Sequence, residues 1–83
     1  MTSEDTHKTL IELIHVNFEI DPSVLTPDAH LRADLGLDSL DLVDLTFFVK
    51  HAFGIDDGVE AYKDIQTVGQ LAAFVDAKRS EDT

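Results

Sequence analysis

The chain has 83 residues and a mass of 9.2 kDa, and its 17 acidic side chains outnumber 6 lysines and arginines, giving a formal net charge of −11. A chain of this length buries only roughly 60 to 65% of the surface that its unfolded form exposes, which leaves room for one modest core. We therefore expect a single domain over 1–83 and not a large enzyme with a deep pocket. The chain has no cysteine, which excludes a disulfide framework, a thiolate metal site and a cysteine nucleophile.

At 43% apolar residues the sequence is too hydrophobic for a disordered acidic tail, so the charge must lie on the surface of a folded domain. No segment has the apolar length of a membrane span, and the first eight residues are acidic where a targeting peptide would be basic. We expect a cytoplasmic monomer without membrane insertion. Its negative surface should repel nucleic acid and favour basic protein partners.

The spacing of apolar residues predicts three main helices and no strand, and hence an all-α fold. The first helix should follow Thr2 or Ser3 as its N-cap and stop near Ile20, before a proline. Its apolar residues recur at intervals of three and four, at Leu10, Ile11, Ile14 and Phe18. A long connection then runs to Leu37, and connections of this length in compact domains are usually functional. Its expected core anchors are Leu25, Leu31 and Leu35.

The second helix has clear signals at both ends. Asp38 is a good N-cap, and Leu37 before it can pack on Leu42 as a hydrophobic staple. We predict that the helix runs to Phe53 and ends at Gly54, a residue type that readily takes a positive φ.

The sequence of the remaining third of the chain, residues 55–83, predicts one short turn and one helix. The turn should lie within Val59 to Asp64, and the helix should begin at the capping-box sequence Thr67-Val68-Gly69-Gln70. The side chains expected to point inward from this helix are Val68, Leu71, Ala72 and Val75. We expect a frayed tail over 80–83.

The second helix carries apolar residues on two sides. An ordinary core stripe is formed by Leu42, Leu45, Val49 and Phe53. A second stripe, almost opposite, is formed by Leu40, Val43 and Phe47. This pattern leaves two interpretations open: the second stripe packs under the following loop, or it is an exposed partner site ringed by acidic residues.

Ser39 stands at the start of the second helix, in the sequence Asp34-Leu35-Gly36-Leu37-Asp38-Ser39-Leu40. A serine at a helix start usually serves as a cap, but Asp38 already fills that role. The hydroxyl therefore lies beside free backbone N–H groups, where the helix dipole accommodates a phosphodiester. This stretch closely resembles the phosphopantetheine attachment motif of acyl carrier proteins, whose core is Asp-Ser-Leu after a glycine-containing loop. The resemblance extends over nearly the whole chain in length and helix order.

The resemblance implies an acyl-carrier-protein-like bundle of three to four helices, with the long loop between helices 1 and 2. It implies a carrier and not an enzyme: a phosphopantetheinyl transferase uses coenzyme A to attach 4′-phosphopantetheine to Ser39, and the arm supplies the missing thiol. Acyl groups held as thioesters are then presented to acyl-transferring and chain-elongating enzymes with basic docking patches. The docking positions that match are Asp38, Leu40, Asp41, Val43, Asp44 and Phe47. The resemblance thus favours an exposed second stripe.

Several residues depart from the pattern of typical fatty-acid carriers. Lys50 and His51 interrupt the acidic face of the second helix, Gly58 replaces the usual proline, and Tyr62 and Lys63 make the following turn less acidic. These departures leave the pathway open among fatty acid synthesis, polyketide synthesis and a related specialised acyl pathway. The alternatives are a D-alanyl carrier and a small acidic helical adaptor that binds a basic partner through the second stripe.

Other chemistry is not indicated. The four histidines, His7, His15, His30 and His51, have no ligand spacing and are expected to be solvated surface residues. A calcium loop starting at Asp34 is rejected because Gly36 occupies the position of the second oxygen ligand in the loop. Ser39 lacks the Gly-x-Ser-x-Gly sequence of a hydrolase nucleophile. We therefore predict no metal ligand and no catalytic residue.

Overall fold

Helices make up the regular structure of the chain. The computed structural model describes residues 3–81, and their side chains over 5–79. Its elements are α1 (Ser3–Phe18), a first 3-10 turn (Pro22–Val24), α2 (Ser39–Phe53), a second 3-10 turn (Val59–Tyr62) and α3 (Val68–Glu81). Over 3–81 there is no strand, and extended backbone pairs only in an isolated bridge between His30 and Thr67. The predicted all-α fold with a long loop between helices 1 and 2 is confirmed.

The helix α1 ends two residues before the predicted end at Ile20. Glu19 takes a φ of 55°, in the left-handed region, and a helix cannot continue through that conformation. The Nδ1–H of His15 donates to the Ile20 carbonyl over 2.9 Å, which holds the chain in this reversal. Of the two predicted N-caps, Thr2 lies outside the described residues, and Ser3 is the first residue of α1.

The long loop between α1 and α2 is bound to the start of α3. Its predicted anchors reach the core, since Leu25 and Leu31 are buried and Leu35 is partly buried. Backbone bonds to the start of α3 run from Leu31 N–H to Gln66, from Val68 N–H to Ala29 and from Gly69 N–H to Pro27. A Cβ at Gly69 would lie 2.9 Å from the Pro27 carbonyl oxygen, so glycine is what allows this approach.

Both predicted ends of α2 are confirmed. The Asp38 carboxylate accepts from Asp41 N–H at 2.9 Å, and the Asp41 carboxylate accepts from Asp38 N–H at 3.1 Å, which forms a reciprocal capping box. Gly54 takes a φ of 73° and donates its N–H to the Lys50 carbonyl at 2.8 Å. The sequence analysis identified Asp38 but missed Asp41, because the usual residue at that position of the box is glutamate or glutamine.

The predicted turn and the predicted third helix are also present. The start of α3 is closed by Gln70, whose side-chain oxygen accepts from Thr67 N–H, while the Thr67 hydroxyl accepts from Gln70 N–H. The four predicted inward residues of α3 are all buried. Because α3 extends to Glu81, the predicted frayed tail overlaps its last two residues and otherwise lies outside the described residues.

The core lies between the three helices, and α1 packs on α3 and on α2. Its fully buried large side chains include Leu10, Ile14, Leu25, Leu31, Leu45, Val49, Tyr62, Val68, Leu71 and Val75. Thr6 is a buried polar residue: its hydroxyl donates to the Asp76 carboxylate and accepts from Arg79. These bonds satisfy the hydroxyl and join the ends of α1 and α3.

Candidate functional site

Ser39 is exposed at the first position of α2. Because Asp38 and Asp41 form the capping box, the Ser39 hydroxyl is not used to cap the helix, as the sequence predicts. Its oxygen accepts a hydrogen bond from the guanidinium of Arg32, with 3.2 Å between Nη2 and Oγ. The site therefore places a primary alcohol beside a cation and beside the first N–H groups of a helix.

Arg32 is held by a compact turn in the loop before α2. The His30 ring accepts at Nδ1 from the N–H groups of Arg32 and Ala33, at 3.3 and 3.2 Å. The Asp34 carboxylate accepts from His30 N–H at 2.7 Å, and Gly36 N–H donates to the Arg32 carbonyl. The Nδ1 atom of His30 is therefore the acceptor that joins two successive backbone N–H groups of this turn.

The four histidines, predicted to be solvated surface residues, differ in exposure. His7 and His30 are partly buried, and the His30 ring organises the turn by accepting from two backbone N–H groups. His15 and His51 are exposed, as expected. Among the residues that the structure describes, no group of three or more histidine, aspartate or glutamate side chains is arranged to hold a metal ion.

A cavity of about 500 Å³ opens beside Ser39, between α2, the long loop and the second 3-10 turn. Its lining is apolar where α2 and the turn contribute Leu42, Val43 and Val59, and basic where Arg32 and Lys63 stand. Lys63 is paired with Glu60, a surface ion pair at 3.0 Å. The cavity therefore combines an apolar interior with a polar edge at the serine.

Tyr62 lines the same cavity and is almost completely buried, with an exposed fraction of 1%. Its hydroxyl has no hydrogen-bond partner within the described part of the chain. Its ring lies 5.2 Å from that of Phe74. Burial, assisted by the negative charge of Asp57, raises the pKa of Tyr62 to about 12. The phenol is therefore neutral at physiological pH.

The second stripe is exposed. The exposed fractions are 76% for Leu40, 56% for Phe47 and 39% for Val43, which borders the cavity. The alternative in which the stripe packs under the following loop is wrong, because Leu40 and Phe47 keep most of their surface exposed. The predicted acidic neighbours differ among themselves: Asp38 and Asp44 are exposed, whereas Asp41 is half-buried.

Arg32, His30 and Tyr62 are the parts of this site that sequence analysis did not identify. For Arg32 a signal was present, since it is the lone lysine or arginine between residues 9 and 49 and stands seven residues before Ser39. For His30 and Tyr62 no local pattern gave a signal. Within 3–81, no helix is long and apolar enough to cross a membrane.

Comparison with known proteins identifies the family. The family model described as a phosphopantetheine attachment site matches residues 8–75. The acyl carrier protein 2 of Ralstonia nicotianae is 36% identical over 75 residues, which cover 90% of this chain and 93% of that protein. An acyl carrier protein of Prochlorococcus marinus is 30% identical over 79 residues, covering 95% of this chain and 99% of that protein. The chain therefore belongs to the acyl carrier protein family, and so it is a carrier with covalently bound 4′-phosphopantetheine and not a catalyst.

Proposed function

We propose that Ser39 is the attachment site of 4′-phosphopantetheine, and that the protein carries acyl groups in the cytoplasm as thioesters on this arm. The observation that carries the proposal is the exposed Ser39 hydroxyl at the first position of α2, left free by the Asp38 capping box. In the attachment reaction the Ser39 oxygen bonds to the phosphorus that bears the pantetheine and its hydroxyl proton is released. The pyrophosphate bond of coenzyme A breaks, and adenosine 3′,5′-bisphosphate leaves.

The residues around Ser39 fit a phosphodiester at this position. The first turn of α2 offers backbone N–H groups without intrahelical partners, and its dipole favours an anion there. The Arg32 guanidinium, 3.2 Å from Oγ, adds a full positive charge. When bound, the arm supplies the thiol that the chain itself lacks. Because Ser39 lines the cavity, an arm attached to it starts at the mouth of the cavity.

The family implies interaction with a phosphopantetheinyl transferase and with acyl-handling enzymes. We propose that partners with basic patches dock on the face of α2 that carries the second stripe and its acidic border. This face consists of Asp38, Leu40, Asp41, Val43, Asp44 and Phe47. Its apolar centre and charged edge resemble the anatomy of a protein interface, and its surface charges favour fast, salt-sensitive encounters.

The acidic residues of that face differ in their structural roles. The Asp38 and Asp41 carboxylates each accept a backbone N–H at the start of α2, so substituting either one also weakens the helix. Asp44 makes no hydrogen bond or ion pair with the described residues, which leaves its charge available to a partner. Asp44 is therefore the residue at which docking can be tested apart from folding.

Intact-protein mass spectrometry tests the attachment site. Incubated with coenzyme A and a broad-specificity phosphopantetheinyl transferase, the protein should gain one phosphopantetheine mass. Ser39→Ala should gain nothing, while Ser23→Ala, at another exposed serine, should be modified like the unsubstituted protein. An unchanged mass, or an equal gain in Ser39→Ala, contradicts the proposal.

The same measurement on protein purified from its native host identifies the pathway. A fatty acyl, polyketide or D-alanyl group on the arm would each add a different mass. An unmodified or phosphorylated Ser39 would instead support the adaptor alternative and contradict the carrier mechanism proposed for this serine.

A further inference from the structure

Arg32 carries a positive charge that has no counter-ion within the described part of the chain. Its guanidinium forms no ion pair there, although the chain has 17 acidic side chains, and its hydrogen bond goes to the neutral hydroxyl of Ser39. A guanidinium gains more from an anionic oxygen than from an alcohol, because two full opposite charges then attract each other in addition to the hydrogen bond. The arrangement is therefore incomplete while Ser39 is an alcohol.

The backbone of Arg32 is fixed on both sides, which sets where its side chain starts. Its N–H donates to the His30 ring, and its carbonyl accepts from Gly36 N–H at 3.1 Å. Leu37, which follows Gly36, donates its N–H to the Leu31 carbonyl at 3.0 Å and leads directly into α2. The turn therefore ties Arg32 to the first residues of the helix that presents Ser39.

We propose that Arg32 is a phosphate-positioning residue: once Ser39 bears the arm, its guanidinium binds the phosphodiester and holds the base of the arm at the mouth of the cavity. This inference rests on the proposed function. The non-bridging oxygens of a phosphodiester on Oγ lie around the phosphorus that Oγ bears, within reach of a guanidinium that already contacts Oγ. The planar fork of arginine binds two such oxygens at once, which a lysine cannot do.

The position of the cavity indicates where an arm held by Arg32 would begin. Ser39 and Arg32 both line the cavity, so a phosphate held between them starts the arm at its edge and not over the open acidic face of α2. Rotation about the bond between Oγ and phosphorus is then restricted in the free protein. A partner that supplies its own cations near Ser39 competes with Arg32 for the phosphate and releases the arm.

Phosphorus NMR of the loaded protein tests this role directly. Samples of the unsubstituted protein, Arg32→Ala, Arg32→Lys and Lys8→Ala are loaded with coenzyme A and the transferase, and their masses are verified before the measurement. We expect Arg32→Ala to shift the phosphodiester resonance and to raise the mobility of the phosphorus in relaxation measurements. The resonance and relaxation of Arg32→Lys should lie between those of the unsubstituted protein and Arg32→Ala, because lysine keeps the positive charge and loses the planar guanidinium.

The control variant, Lys8→Ala, removes one positive charge at a site away from Ser39. Lys8 is an exposed lysine on α1, so Lys8→Ala should leave the phosphorus resonance and its relaxation unchanged. Added salt should move the unsubstituted protein toward the behaviour of Arg32→Ala, since it screens the ion pair. This salt titration and Arg32→Lys keep the test available if the alanine variant does not fold.

Identical phosphorus resonances and relaxation in the unsubstituted protein and Arg32→Ala would overturn the role of Arg32. Because both samples carry the arm on a verified serine, that result would leave the attachment site intact. A failure of loading at Ser39 would contradict the proposed function itself, and it would be seen in the masses before any spectrum is recorded.

Discussion

The two faces of α2 are built from equally apolar residues and have opposite environments. Leu45 and Val49 on one face are completely buried, whereas Leu40 and Phe47 on the other are mostly exposed. The difference comes from what lies opposite: α1 and the second 3-10 turn both pack on α2, and neither covers Leu40 or Phe47. Hydrophobicity alone therefore does not decide which face of a helix is core; the number of elements available to cover it does.

Leaving the second stripe exposed costs the protein part of the stabilisation that burial would give. Burying a leucine fully is worth about 1.5 to 3 kcal/mol relative to leaving it exposed, and the second stripe forgoes that stabilisation. In a domain of 83 residues, whose core is small, leaving large apolar residues exposed together is a cost to solubility and stability. Docking of a partner on this face, as proposed above, would cover these residues and recover part of that stabilisation.

The largest expected effect separates the two faces by stability. Leu45→Ala should lower the free energy of unfolding by about 2 to 5 kcal/mol, because it removes fully buried methyl groups and leaves a cavity. The matched variant Leu40→Ala makes the same chemical change on the exposed face and should stay within about 0.5 kcal/mol. Urea unfolding of both variants measures the difference. Comparable losses would mean that the second stripe is part of the core.

The border between the two faces gives a pH-dependent prediction. Tyr62 lines the cavity there together with Leu42 and Val43, and burial, assisted by the charge of Asp57, raises its pKa from 10.0 to about 12. Because the folded protein holds this proton more tightly than the unfolded chain, the stabilisation is complete below pH 10. It is lost as the pH rises from 10 to 12, by about 2 kcal/mol.

Tyr62→Phe isolates this effect from the titration of lysines. The variant has no phenol to ionise, so its free energy of unfolding should fall less than that of the unsubstituted protein over the same pH range. At neutral pH it should be at least as stable, since it removes a buried hydroxyl that has no hydrogen-bond partner among the described residues. If the free energies of unfolding of Tyr62→Phe and the unsubstituted protein fall in parallel above pH 10, Tyr62 has the same pKa in the folded and unfolded states and the prediction is wrong.

What the sequence predicted well was local. Asp38 and Gly54 mark the ends of α2 through their own chemistry, and the position of Ser39 follows from the cap before it. The early end of α1 was not predictable in this way, because Glu19 adopts a left-handed φ that its residue type does not indicate. The contact between Arg32 and Ser39 was missed because it depends on how the turn around His30 folds back toward α2.

Substitutions on the exposed face should have only small effects on stability, and their main effect should appear in function. Phe47→Ala and Asp44→Lys should each alter the free energy of unfolding by less than about 1 kcal/mol, as surface substitutions usually do. Both should slow turnover of the loaded protein by an enzyme with a basic docking patch, because they remove the apolar centre or reverse the charge that attracts it. Val16→Ala and Glu12→Lys make the same kinds of change on exposed positions of α1 and should leave turnover unaltered. Equal turnover by all four variants would contradict docking through this face of α2, whereas slow turnover by the α2 pair alone would support it.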